Sequence, residues 1–179
     1  AEARWDPERK AHVPLVGLGR LTVAAPSLRE RAASYAAFAG MTAEELLGDR
    51  MSRVARLQAT ALDHVMLLNR GGRFEARPLP AAAQLAPSFG VTIADFDGDG
   101  HEDVALAQNF FQTEIEAPRY DAGRGLLLLG DGRGGLRAVP TSGIVAWGDQ
   151  RGIATADYDG DGRADLAIAQ NGGETKLFH

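Results

Sequence analysis

Short apolar runs punctuate the second half of the chain: VMLLN (65–69), VALAQN (104–109), LLLLG (126–130) and LAIAQN (166–171). Each is bounded by Gly, Asn or Asp, and none is long enough to favour a helix, so each reads as a strand. Gly-rich turns separate them at short intervals. The pattern then repeats. GVTIADFDGDGHEDVALAQN (90–109) aligns with GIATADYDGDGRADLAIAQN (152–171), 62 residues later (152 − 90), with twelve of twenty positions identical. Val91/Ile153, Phe96/Tyr158, Val104/Leu166 and Leu106/Ile168 are conservative exchanges. The likeness extends outward: LLNRGGRFEARPLP (67–80) resembles LLGDGRGGLRAVP (128–140), and the final TKLFH resembles the start of a third copy of that strand. The unit therefore predicts four strands. One enters an Asp-rich loop, one leaves it, a third lies near 125–130 and a fourth near 135–139, the make-up of a β-propeller blade.

Residues 1–60 carry a different period. Ser27 with Glu30, and Thr42 with Glu45, have capping-box spacing, and Met41 and Leu46 stand where a hydrophobic staple would. With Gly40 and Gly48 as terminators, helices are expected at about 28–39 and 43–47. Leu28, Tyr35 and Phe38 would share one face, and HVPLVGLGRLTV (12–23) would hold a strand. The expected division is an N-terminal helical extension, 1–60, packed on a β-rich part, 61–179.

Composition adds constraints. The 179 residues are 45% hydrophobic and 24% charged, which suits a folded domain. No apolar run reaches the length of a membrane-spanning helix. Without cysteine there is no disulfide, thiolate metal site or thiol nucleophile. The start, AEARWDPERK, reads as a mature or trimmed terminus. Residues 1–60 hold nine Lys/Arg and seven Asp/Glu, while 61–179 hold ten and seventeen. Eight of those seventeen acids are the aspartates of the two repeated loops, so no broad acidic face exists, and no basic stripe suggests nucleic acid.

The loops carry the chemistry. Their odd positions are Asp95, Asp97, Asp99, His101 and Asp103, repeated as Asp157, Asp159, Asp161, Arg163 and Asp165. Odd spacing through a tight loop turns alternate groups toward one centre. Gly98, Gly100, Gly160 and Gly162 let the backbone curl. At the seventh position a backbone carbonyl serves whatever the side chain, so His101 and Arg163 are both acceptable. Four carboxylates and a carbonyl form an all-oxygen cage for a hard cation, Ca²⁺ before Mg²⁺, giving two expected Ca²⁺ sites. The cation would relieve the repulsion among the carboxylates. An EF-hand would need an acid at position 12 and flanking helices. Leu106 and Ile168 stand there, between strands.

Other motifs carry less. GDGRGG (130–135) leads from strand to strand, so it is a hairpin turn and not a phosphate loop. His12, His64, His101 and His179 show no metal-ligand spacing, and Ser88 and Ser142 lie in no nucleophile elbow. The long connection 110–124 either binds a partner through Phe110, Phe111, Arg119 and Tyr120 or is packed down by Phe110 and Tyr120. Trp147 is expected in the core between units.

The Asp loops and the preceding Phe89–Gly90 pair resemble FG-GAP, or VCBS, repeats of integrin-α-type β-propellers. FAGMTAEELLGDR, the LLNRGGRFEARPLP…AQLAPSFGV run and NFF…RYDAGRG resemble the bacterial ASPIC/UnbV-like group. This resemblance covers about residues 62–179. It implies Ca²⁺ held in the hairpin between the first two strands of each blade, at the ten positions named above. It further implies a mainly β chain, a partial propeller of about two to three four-stranded blades, with remaining blades from a longer chain or from neighbouring subunits. The expected role is a non-enzymatic scaffold, exported by a bacterium to the periplasm, cell surface or medium, with a protein or glycan partner. One alternative is a carbohydrate-binding or enzyme-associated propeller. Another is an assembly subunit pairing through open sheet edges.

Overall fold

The computed structural model describes residues 2–114 and 117–179, and Ile115 and Glu116 of the long connection lie outside them. The chain forms two compact units, Ala1–Thr60 and Ala61–His179.

The first unit opens with a hairpin of β1 (Ala3–Asp6) and β2 (Ala11–Pro14). The strand expected within 12–23 is confined to β2. Beyond it, LGRLTVA becomes α1 (Leu18–Ala24), whose Leu18 and Leu21 are buried. The helix expected at 28–39 is broken. Pro26 begins a 3-10 turn running to Glu30, and Ser34 then accepts from Ala37 N at 3.1 Å and starts α2 (Tyr35–Ala39). A new cap in mid-segment resets the helical phase, so Leu28 is buried while Tyr35 is 70% exposed. At α3 (Ala43–Leu47) the capping box forms: Glu45 N donates to Thr42 Oγ1 at 3.1 Å, and Thr42 N to Glu45 Oε2 at 2.8 Å. Met41 and Leu46 meet in one core with Leu18, Leu21, Leu28 and Ala32. Leu46 is 1% exposed. Replacing it with Ala is expected to cost this unit about 3 kcal/mol in urea unfolding, whereas Thr42→Ala should cost about 1 kcal/mol.

The second unit is built from antiparallel sheets. Strands β3 (Val65–Asn69) and β4 (Phe74–Pro78) form a hairpin. A four-stranded sheet follows in chain order: β5 (Ser88–Ala94), β6 (Asp103–Gln108), β7 (Leu126–Gly130) and β8 (Leu136–Ala138). Next come β9 (Asp149–Ala156), β10 (Asp165–Asn171) and β11 (Lys176–Phe178), with β10 in the middle. The chain is thus mainly β, with few and short helices, and among the described residues no sheet closes on itself. GDGRGG is the β7–β8 turn, with Gly132 and Gly134 at φ 65° and 86°. There Asp131 Oδ1 accepts from Gly135 N and Arg133 N. These N–H groups hold the Asp131 carboxyl below its ordinary range, so their support persists at neutral pH and fades as pH falls through the lowered value.

Each face of the central sheet has its own core. Ala105 and Ala107 pack with Leu166, Ile168, Ile144 and Ala146, joined by Ile153. On the opposite face Leu106 and Leu128 pack with Ala83, Leu79 and Leu136. Gly90 permits the first contact. A Cβ there would lie 3.0 Å from Ile153 Cγ2 and 3.3 Å from Ala107 Cβ, so β9 can lie close only over a glycine. The registers of β5 and β9 shift at matching places, where Phe89 and Arg151 fall, 62 residues apart. The Arg151 guanidinium lies over the Phe89 ring, 4.0 Å from its centre. Trp147 is 62% exposed and is not interior as expected. Glycines 143 and 148 flank that segment, and the Trp147 carbonyl accepts from Asn109 Nδ2 at 3.4 Å.

Candidate functional site: two acidic loops

The Asp loops join β5 to β6 and β9 to β10, in the sharpest reversals of their hairpins. Gly98 and Gly160 share φ 78°, and Gly100 and Gly162 share φ 86°. A left-handed backbone at both positions makes glycine the natural residue there. It also turns successive N–H groups inward, where the aspartates accept them.

The two loops share a set of hydrogen bonds. Gly100 N donates to Asp95 Oδ2 at 2.9 Å, and Gly162 N to Asp157 Oδ2 at 3.0 Å. Asp99 N reaches Asp97 Oδ1 at 3.2 Å, and Asp161 N reaches Asp159 Oδ1 at 3.1 Å. His101 N and Arg163 N donate to Asp99 and Asp161 Oδ1, both at 2.8 Å. Asp95 Oδ1 additionally accepts from Gly98 N at 2.7 Å. One carboxylate oxygen from each of Asp95, Asp97 and Asp99 lies within 4.8 Å of the others, and Asp157, Asp159 and Asp161 match them. All six residues are exposed. Among the described residues, no lysine or arginine forms an ion pair with Asp95, Asp97 or Asp99. Backbone N–H groups offset part of the repulsion among these carboxylates, and a cation at their centre would meet three acids with no basic side chain paired to them.

The ninth position behaves differently. Asp103 is fully buried, and its oxygens hold the hairpin together: Oδ2 accepts from Phe96 N at 2.9 Å and Oδ1 from Gly130 N at 2.8 Å. Asp165, 4% exposed, accepts from Tyr158 N through Oδ2 at 2.8 Å. Its Oδ1 faces His179 Nδ1 at 3.2 Å, and that ring also stands 3.7 Å from Asp159. The structure thus gathers the first three acids of each loop and sets the fourth at the base, bonded to backbone. Each carboxylate oxygen keeps a further lone pair, so these bonds do not exclude a ligand role for Asp103 or Asp165. The seventh-position residues, His101 and Arg163, lie on the rim, each held through its backbone N–H.

Gly130 was not among the expected site residues. A Cβ there would come within 2.1 Å of Glu102 O, so the third strand can approach the loop only at a glycine. Its signal was the Gly that ends LLLLG, read in sequence only as a strand boundary. In the long connection, Phe110 and Tyr120 exchange backbone hydrogen bonds of 2.8 and 3.0 Å, Phe110 packs on Phe89, and Arg119 covers the Phe111 ring. Those contacts pin the described part of the loop.

These features define a class: a β-rich repeat protein whose repeating element is a hairpin closed by an acidic, glycine-kinked loop. Within it, residues 151–176, which run from β9 through the second loop to β11, match the family model described as FG-GAP repeat. That match supports a β-propeller type of interaction module. No curated protein matches the chain.

Proposed function

We propose that residues 61–179 are a calcium-binding, non-enzymatic segment of an FG-GAP β-propeller, serving as an interaction scaffold outside the cytoplasm. The observation that carries this reading is the identity of the two loops. The same aspartates, left-handed glycines and inward hydrogen bonds recur over 62 residues while the neighbouring side chains drift. A solvated turn needs no such repetition. All-oxygen donors on a flexible, highly charged loop favour Ca²⁺, which accepts six to eight oxygens in variable geometry, over Mg²⁺, which demands a tight octahedron. In this reading Asp95, Asp97, Asp99 and the His101 carbonyl, with Asp103, hold the first ion. Asp157, Asp159, Asp161 and the Arg163 carbonyl, with Asp165, hold the second. The bound ions supply charge compensation and stiffen each hairpin. Such loops fill where Ca²⁺ is millimolar, which favours an exported protein and agrees with the resemblance to bacterial VCBS repeats.

Titration calorimetry of the full chain tests the reading. Two Ca²⁺ ions should bind per chain, with Mg²⁺ at least tenfold weaker. Asp97→Ala and Asp159→Ala should each remove one of them. Heat of binding absent at millimolar Ca²⁺ would sink the proposal.

A further inference from the structure

A cavity of about 470 Å³ opens between β3 and the central sheet, lined chiefly by Val65, Leu67, Val91, Ile93, Val104 and Leu106. Val65, Met66 and Leu67 all border it, and since successive strand residues point to opposite faces, its wall on that side is the edge of β3. Among the described residues that edge is free, because β3 pairs with β4 alone. The floor is the outer face of β5, where Val91 is 61% and Ile93 55% exposed. At one end, two buried polar atoms, His64 Nδ1 and Ser88 Oγ, have no hydrogen-bond partner among the described residues. His64 Nε2 accepts from Ser88 N at 3.2 Å, which places the ring proton on the unpartnered Nδ1.

The internal repeat says what covers such a face. By the 62-residue spacing, Val91, Val104 and Leu106 correspond to Ile153, Leu166 and Ile168. Those three are packed on the small residues Gly90, Ala105 and Ala107 of the neighbouring acidic-loop hairpin. Val91 therefore presents the same kind of surface with no such hairpin beneath it, and Ile93, whose counterpart is Thr155, makes the exposed apolar strip longer here. Sixty-two residues before β5 and β6 the chain runs through 26–46, which is helical.

From this we infer that the groove is a docking site for an acidic-loop β-hairpin supplied by a partner polypeptide. One strand adds to the edge of β3, and a Gly/Ala face covers Val91 and Ile93. The β3–β4 hairpin would become a four-stranded sheet of the order seen in β5–β8, and the added backbone would satisfy His64 and Ser88. The inference rests on the scaffold reading above and names the partner's chemistry.

The probe is a labelled synthetic peptide of residues 148–171, whose Gly152, Ala154, Ala167 and Ala169 repeat the small-residue face. Fluorescence anisotropy with the full chain should show saturable binding. Val91→Glu and Ile93→Lys, at exposed positions that leave the fold intact by circular dichroism, should each weaken it at least tenfold. A peptide carrying Gly152→Val and Ala169→Leu should bind at least tenfold more weakly. Self-association of the chain that Ile93→Lys abolishes would also support the site, since a second copy carries the same hairpin. Absence of peptide binding, binding indifferent to Val91→Glu, or occupation by a small apolar dye alone would overturn it. Two bound Ca²⁺ ions without peptide binding would overturn this inference and leave the scaffold reading standing.

Discussion

Saturating Ca²⁺ is expected to raise the melting temperature of the full chain's β-rich unit by at least about 10 °C over the same protein in EGTA, followed by calorimetry. The expectation follows from charge and linkage. In each loop three exposed carboxylate oxygens lie within 4.8 Å of one another, so the metal-free fold holds like charges together that the unfolded chain separates. A divalent ion reverses the sign of that interaction. A ligand present at about a hundred times its dissociation constant and bound only by the native state adds about 2.7 kcal/mol per site. Two sites double that, and a unit of this size shifts by several degrees per kcal/mol. Mg²⁺ at the same concentration should give less than half the shift. If EGTA leaves the transition unmoved, calcium has no structural role here.

The repeat was the most legible part of the chain because it carries two periods at once. The short apolar runs placed β6 and β10 to within a residue or so, and the repeat called for a strand before each Asp loop, where β5 and β9 lie. The invariant D-x-D-G-D-G spacing fixed the reversals between them. VMLLN and LLLLG became β3 and β7 with the expected ends. The helical part was less legible for a specific reason. Ser27 has capping-box spacing to Glu30, but its hydroxyl accepts from Arg50 Nη1 at 2.7 Å, a partner 23 residues away (50 − 27) that no local pattern encodes, and Ser34 caps the helix that follows. Trp147 misled in a similar way. Its place between the fourth strand of one unit and the first of the next suggested core, but the buried positions beside it are Ile144 and Ala146. At the acidic loops, spacing could not separate the exposed first three aspartates from the buried fourth. That distinction depends on Gly130, which a neighbouring strand brings up from 27 residues further along (130 − 103).

Asp103→Ala is expected to destabilise the β-rich unit by about 3 kcal/mol even in EGTA, whereas Asp97→Ala should change metal-free stability little and abolish one calcium site. The two residues share one motif and carry equal charge, so the contrast isolates environment. Asp97 is exposed, and its recorded hydrogen bond is with Asp99 N within the loop. Removing its carboxylate also relieves repulsion with Asp95 and Asp99, which offsets the lost bond. Asp103 is fully buried, and its two oxygens take the N–H groups of Phe96 and Gly130 from two different segments. Truncation leaves two donors short of a partner and opens a void under the loop, and each stranded buried group costs about 1–3 kcal/mol. Asp103→Asn keeps one good acceptor but turns an amide N–H₂ toward a donor, so it should fall between wild type and Ala. Urea unfolding of the three variants in EGTA, paired with Ca²⁺ titration of each, separates the roles. Equal metal-free stability of Asp103→Ala and Asp97→Ala would show that the buried acid is no more than another ligand. The predicted order, with Asp103→Ala least stable and Asp97→Ala near wild type, would show that the motif's last aspartate ties the hairpin to its third strand before any ion binds.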